Sequence, residues 1–362
     1  MRIPTPIQAL SAAAALALLA GCSSGSALAP KPAGLAGHVQ HTMGHQGSSV
    51  MNPAGMLALA HQAVANHKIV INHNTCPATG VIIYISDATN NMIDVFAGPN
   101  ITNASTPCFS FNDGGTLAEP QGITVKSGNL YVANTIGNGG TSGNVDAFHR
   151  GQATHFKQYN DPSCSGEYPA DVTVSSDGTV IATDIISNGC SGGQISTWNK
   201  STGALEGNFP AVAGANAFFL TVQKNGTVYY DDNFLQLNSL SCPLGACGAI
   251  TTVSSGTFAF PGGIRSATGE DVVLDDQSAP GSGLDTFESF PSFANQCSLG
   301  ASDAVSYDFN KHVHHAFYAD AGTDQLGEAK YVEGSNTCTH VAAAAISGQG
   351  IGAAVDAPEP LN

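Results

Sequence analysis

The chain has 362 residues with 27 acids against 11 bases, a net charge of −16, and only 10% of its residues are charged, against about 25% in an average soluble domain. So acidic a surface with no basic stripe repels a phosphate backbone, which argues against nucleic acid as a partner. Forty-two glycines, with many Ser, Thr and Asn, suit short strands joined by frequent turns and an exported protein.

The N-terminus reads as a targeting signal. Arg2 precedes the apolar run "ALSAAAALALLA" (Ala9 to Ala20), whose twelve residues fall short of the about 20 that span a bilayer. The run ends in Leu19-Ala20-Gly21-Cys22, which resembles the bacterial lipobox. That resemblance implies a signal peptide over residues 1–21, cleavage before Cys22, and lipidation of Cys22 as a membrane anchor. Each buried methylene of an acyl chain contributes about 0.8 kcal/mol. Ser23 stands where an aspartate would direct retention in the inner membrane, so the resemblance implies the outer membrane of a bacterial envelope. The alternative is an ordinary cleavable signal with an incidental cysteine. Residues 22–65, rich in Ser, Gly, Ala and His, read as a flexible tether. His38, His41 and His45 lie within it, and "MLALAHQAVANHK" (Met56 to Lys68) is a candidate short helix at its end.

Residues 66–362 read as a β-propeller domain. "GITVKSGNLYVAN" (Gly122 to Asn134) and "DVTVSSDGTVIATD" (Asp171 to Asp184) are each a short strand, a Gly-containing turn and an apolar strand closed by Asn or Asp, a hairpin pattern. "FLTVQKNGTVYYDD", "GIRSATGEDVVLDD" and "AVSYDFNKHVHHAFYAD" repeat the frame. A third strand with an aromatic follows most hairpins, carrying Phe96, Phe148, Trp198, Phe287 and Tyr331; in the fourth unit "AITTVSSG" with Val253 takes that place. Units begin at 122, 171, 219, 263 and 304, spacings of 49, 48, 44 and 41 residues. A four-stranded unit at that period predicts an all-β fold: a six-bladed β-propeller of four-stranded blades. No long amphipathic helix interrupts the pattern, which excludes a parallel α/β sheet.

The first unit, "GVIIYISDATNNMIDVFAG" (Gly80 to Gly98), begins at its second strand. Gly352-Ala353-Ala354-Val355 lies 48 residues after Ala304, on the repeat spacing. We therefore expect the C-terminal strand to pair into blade 1 and close the ring, since open sheet edges invite aggregation. The rival first strand is "HKIVINH" (His67 to His73).

The motif P-x-G-I-x-V, G-N-L-Y-V-A-N, N-x-V-D-x-F over Pro120 to Phe148, with "SDATNNMIDVF" at Ser86 to Phe96, resembles the NHL repeat. That resemblance implies a six-bladed propeller and leaves function open, because such propellers serve as platforms, lyases and lactonases alike. Gluconolactonase-like propellers hold a central metal on a Glu, Asn and Asp set, which has no match here. Virginiamycin B lyase-like propellers need a histidine base, for which His149, His155, His312, His314, His315 and His340 are the propeller's candidates.

Eight cysteines remain beyond Cys22, and an oxidising compartment predicts disulfides rather than zinc sites, as no C-x2-C pair is present. Sequence permits 105 pairings; the nearest-neighbour set is Cys76–Cys108, Cys164–Cys190, Cys242–Cys247 and Cys297–Cys338. Asp87, Asn134, Asp184, Asp232, Asp276 and Asp320 end the second strands and would form a rim ring, one per blade. They are turn caps or oxygen ligands for Ca2+, and turn-capping is the commoner role. The doubled acids Asp231-Asp232 and Asp275-Asp276 keep one cation site open. "GCSGG" around Ser191 matches a nucleophile elbow only in letters, because that chemistry needs a strand-to-helix turn.

Two functions compete. The first is a non-catalytic, lipid-anchored, monomeric scaffold that binds a protein or glycan across the rim loops 135–144, 185–193, 233–247 and 277–283. The second is a metal-dependent lactonase or lyase with a small substrate in the central channel. The balance favours the first.

Overall fold

A computed structural model describes residues 74–137, 142–162, 167–188, 191–213, 215–232, 236–255, 261–266, 271–275, 286–290, 296–299, 301, 304–310, 314–332 and 337–357. The signal, Cys22, the tether with its histidines and helix, the rival strand 67–73, His312, Asp276, the rim loop 277–283 and the pair Cys164–Cys190 lie outside them. No helix among the described residues is long and apolar enough to cross a membrane.

The described chain folds into four-stranded antiparallel sheets in a β-propeller arrangement. One sheet joins β1 (Ile82–Asp87), β2 (Met92–Ala97) and β3 (Phe109–Phe111) to β24 (Gly350–Asp356) from the far end of the sequence. The next holds β4 (Pro120–Lys126), β5 (Asn129–Asn134), β6 (Asn144–His149) and β7 (Lys157–Tyr159). Then come β8 (Glu167–Val174), β9 (Thr179–Asn188), β10 (Ser191–Asn199) and β11 (Leu205–Pro210). A fourth contains β12 (Ala217–Val222), β13 (Thr227–Asp232), β14 (Gln236–Ser241) and β15 (Thr251–Ser255). A fifth contains β16 (Pro261–Ser266), β17 (Asp271–Asp275), β18 (Thr286–Phe290) and β19 (Gln296–Ser298). The last contains β20 (Ala304–Asn310), β21 (His315–Asp320), β22 (Gln325–Tyr331) and β23 (Cys338–Ala345).

Strand β24 runs antiparallel to β1, with Ile82 opposite Asp356 and Asp87 opposite Gly350. It lies against β4 on one side and β20 on the other, and β4, β8, β12, β16 and β20 follow one another in contact. Each of these edge strands carries a β-bulge against its neighbour, at Pro120/Ile123, Pro169/Asp171, Ala217/Leu220, Pro261/Ile264 and Ala304/Ser306, and the β1–β24 pair carries one at Ile85/Asp87. A bulge sharpens local twist and re-aims the strand. The same break in register thus recurs where β24 meets β1.

Glycine at the bulge permits close approach. A Cβ on Gly263 would sit 2.9 Å from Ser306 Cα, and one on Gly352 would collide with the Gln121 carbonyl. Small hydroxyls tie adjacent sheets: Ser86 donates to Gln121 O and accepts from Gly352 N, and Thr183 donates to Phe218 O. Between the sheets lie apolar clusters. Ile83, Ile85, Ala353 and Val355 pack with Phe317, Ala319 and Leu326, while Tyr131, Tyr159, Val172 and Trp198 share another. Burying each large side chain contributes about 1.5–3 kcal/mol.

Among the described residues, disulfides join Cys76–Cys108, Cys242–Cys247 and Cys297–Cys338. Two expectations need correction. "AITTVSSG" contains the outer strand β15, not the third strand; that place belongs to β14, "QLNSLS", whose Leu237 and Leu240 are both buried, one on each face of the strand. Its Asn and Ser residues disguised it as a stretch of rim loop over 233–247. The expected loop 185–193 is largely strand as well, because β9 continues to Asn188 and β10 begins at Ser191.

Candidate functional site

The rim residues divide by the groups they bind. Asp87 accepts bonds from Asn90 N at 2.9 Å, Asn90 Nδ2 and Ser347 Oγ. Asp320 accepts from Gly322 N and Thr323 N, and Asp232 from Gln236 N and Asn238 Nδ2. Asp87 and Asp320 hold the turns just beyond them, as Asx turns do, while Asp232 binds two residues of the next strand, β14. Asn134 instead reaches back, accepting from Ala118 N and donating to Asp146 Oδ2. Asp184 accepts from Ser196 Oγ at 2.8 Å, across its own sheet.

Beside Asp184 the rim gathers buried acids. Gln194 Nε2 donates to Glu167 Oε1 at 2.6 Å and lies 3.5 Å from Asp161 Oδ2. Burial, then the neighbouring Asp184 and Asp161, push the Glu167 carboxyl up to about 11; burial raises Asp184 to about 7. Both groups therefore hold a proton in the folded state that they release in the unfolded chain at about pH 4. Their stabilising contribution is complete below that value and is lost as pH rises through 7 and beyond. We expect the melting temperature to fall between about pH 5 and about pH 8, and Glu167→Gln to flatten that slope in a pH series of thermal melts. A slope unchanged by the substitution would refute the assignment.

The centre of the molecule holds a second cluster, one that motif reading missed. Arg265 on β16 is buried and reaches three other first strands. Its Nη1 pairs with Asp171 Oδ2 of β8 at 3.1 Å and donates to Leu220 O of β12, while Nη2 donates to Ile123 O of β4 at 3.0 Å. Asp171 also accepts from Val172 N and Leu220 N. It occupies the repeat position of Gly122, where any Cβ would strike the Asp171 carboxylate. Burial would discharge Arg265, but Asp171 and Asp308 outweigh it and raise its pKa. Burial still leaves Asp171 above the usual carboxylate range despite its partner. Nearby Asp231 is pushed well up by burial and accepts from Phe219 N; its Oδ2 has no partner among the described residues. The only sequence signal was a lone arginine in a first strand whose counterparts are Thr124, Thr173 and Thr221.

A third group lies away from the first strands. Asp113, Asp146 and His155 present ligand atoms within 4.8 Å of one another. His155 Nδ1 is 2.5 Å from Asp113 Oδ2, which also accepts from Thr116 Oγ1; Asp146 accepts from Asn134 and Asn144. Two carboxylates and an imidazole suit a transition metal better than Ca2+, which prefers oxygen ligands. Of the other histidines, His149 stacks on Phe156, His314 lies in a turn, His315 pairs with Glu328, and His340 lies 3.1 Å from Tyr318 Oη. Ser191 begins a strand of a β-hairpin, not a strand-to-helix elbow.

No protein-family model matches the sequence, and no curated protein matches it. Solved structures do. A chain of the nidogen/laminin complex superposes with TM-score 0.54 at 10% identity, covering 76% of this chain and 98% of its own. A protein of unknown function from Bacteroides caccae gives 0.52 at 12% identity, covering 78% and 100%. A protein from Lactobacillus plantarum gives 0.51 at 11% identity, covering 76% and 99%. At such identities the likeness is one of fold, a β-propeller of antiparallel four-stranded blades.

Proposed function

We propose that the chain is a non-catalytic binding scaffold. In this reading it is a six-bladed propeller closed by β24 in the first blade, exported and held as a monomer on the outer membrane through lipidated Cys22. A protein or glycan would bind across its rim loops. The observation that carries the reading is Arg265. The one buried guanidinium among the described residues commits both terminal nitrogens to Asp171 and the carbonyls of Leu220, Ile264 and Ile123, which makes it a tie between first strands; only its Nε and the neighbouring Asp231 Oδ2 have no partner among the described residues. Asp87 and Asp320 are likewise engaged with their own turns, and Asp232 with β14.

The second reading, a metal-dependent lactonase or lyase, draws its support from Asp113, Asp146 and His155. One set of melts separates the two. The soluble domain is heated with EDTA, Ca2+, Zn2+ or Mn2+, and a panel of lactones is assayed in parallel. A cation that binds only the folded state raises the melting temperature by mass action. We expect melts indifferent to each addition and no lactone turnover. A metal-dependent rise with turnover would overturn the scaffold reading. The full chain expressed with and without Cys22→Ser completes the test: detergent partitioning that survives the substitution would sink the anchor.

A further inference from the structure

A cleft of about 420 Å³ opens between the β4–β7 and β8–β11 sheets, lined by Asn129, Tyr131, His149, Phe156, Lys157 and Asp177, with Asn199 to Ser201 at its far wall. It lies at the Ser127-Gly128 and Asp177-Gly178 turns, the opposite end of the strands from the rim residues. Its volume is typical of small-ligand sites, which run about 300–1,000 Å³. We propose that it binds an acidic saccharide, a sugar bearing a carboxylate.

Four features converge. The first is an aromatic platform: the rings of His149 and Phe156 lie parallel, 4.1 Å apart at 6°. Phe156 is 42% exposed, although most large aromatic side chains of the fold are buried. His149 is held in place by Nδ1 against Asn129 Oδ1 at 2.9 Å. A flat exposed ring presents a face for the C–H side of a pyranose. Second is charge. Lys157 and Lys200 share this cleft with the single acid Asp177, in a chain with only 11 bases to 27 acids. A locally positive cleft on an acidic body concentrates an anion. Lys157 Nζ donates to the carbonyls of Lys200 and Ser201, which uses two of its three N–H donors and pre-orients the third. Third, the lining carries polar groups held in place by their own bonds: Ser201 Oγ donates to Asn199 Oδ1 at 2.7 Å and Asn199 Nδ2 to Glu206 Oε1 at 3.2 Å, which leaves lone pairs of Ser201 Oγ to accept from a sugar hydroxyl. Fourth, the buried Tyr131 hydroxyl has no hydrogen-bond partner among the described residues. It packs near Tyr159, whose own hydroxyl donates to Lys200 O at 3.0 Å. A buried polar group without a partner costs free energy, and a ligand hydroxyl or bridging water in the cleft would satisfy it.

The inference rests on the reading of the chain as a binding protein, and it names a ligand and a place for it. The test titrates the folded domain with tri-galacturonate and, separately, with neutral galactotriose, following heat and amide chemical shifts. Binding of the uronate is expected, weakening at least tenfold in Phe156→Ala and in raised salt, with Lys200→Gln weakening the uronate but not any residual neutral binding. Both side chains are at the surface, so their loss leaves folding intact, which the melting curve checks. No heat and no shifts with up to about 10 mM uronate would overturn the cleft. Equal affinity for the neutral sugar would overturn the acidic specificity. Uronate turnover, by contrast, would leave the cleft standing and refute the non-catalytic reading.

Discussion

A chain ending at Gln349 is expected to lose its cooperative transition or to melt at least about 10 °C lower. Every residue of β24 is buried, and the strand pairs with β1 while packing on β4 and β20. Its loss removes Ile351 and Val355, whose burial contributes about 1.5–3 kcal/mol each, uncovers Ile83, Ile85 and Phe317 of the cluster that Val355 completes, and strips the edge of β1 of its hydrogen bonds. For a chain of this size each kcal/mol moves the melting temperature by about 2–4 °C. Gly352→Val makes the same point without shortening the chain, since its side chain would meet Gln121 O and Ser86 Oγ. Differential scanning calorimetry reads both. Near-native melting of the truncated chain would refute closure by the tail.

Arg265→Met is the second large effect. It leaves Asp171 buried without its cation and the carbonyls of Leu220 and Ile123 without a donor. Breaking a buried pair from one side costs about 3–5 kcal/mol, whereas removing both charges together is often near neutral. The double variant Arg265→Met with Asp171→Asn should therefore be more stable than Arg265→Met alone, as measured by urea denaturation. Additive losses would mean that the two side chains do not act as a pair. If central chemistry used this arginine, the single variant would abolish an activity while leaving the melt unchanged.

Much of the architecture was legible in the sequence because hairpins are local. Turns such as Ser127-Gly128 and Asp177-Gly178 sit between alternating strands and fix each unit's frame. β24 was legible because Gly352 continues the repeat spacing. Strand β14 was not, because "QLNSLS" presents only two leucines among polar residues, and their odd spacing puts them on opposite faces, without the alternation that marks a half-buried strand. The Arg265–Asp171 pair spans 94 residues, and no local pattern records which strands of different sheets pack together. The division of the rim residues into turn caps and cross-sheet bonds was not legible, because it depends on the conformation of the chain just after each carboxylate. The cleft at Phe156 was invisible because its walls come from two different units.

The bond Cys76–Cys108 has a mechanical consequence. Thr75 N and Oγ1 both bond to Cys108 O, and the disulfide fastens Cys76 just ahead of β3. A pull arriving from the N-terminal side therefore reaches the fold through a covalent link to the outermost strand of the first sheet. It does not load the hydrogen bonds between β1 and β24, which from that end would break in succession like the teeth of a zip. Reduction of that single bond would reroute the same force straight into the seam.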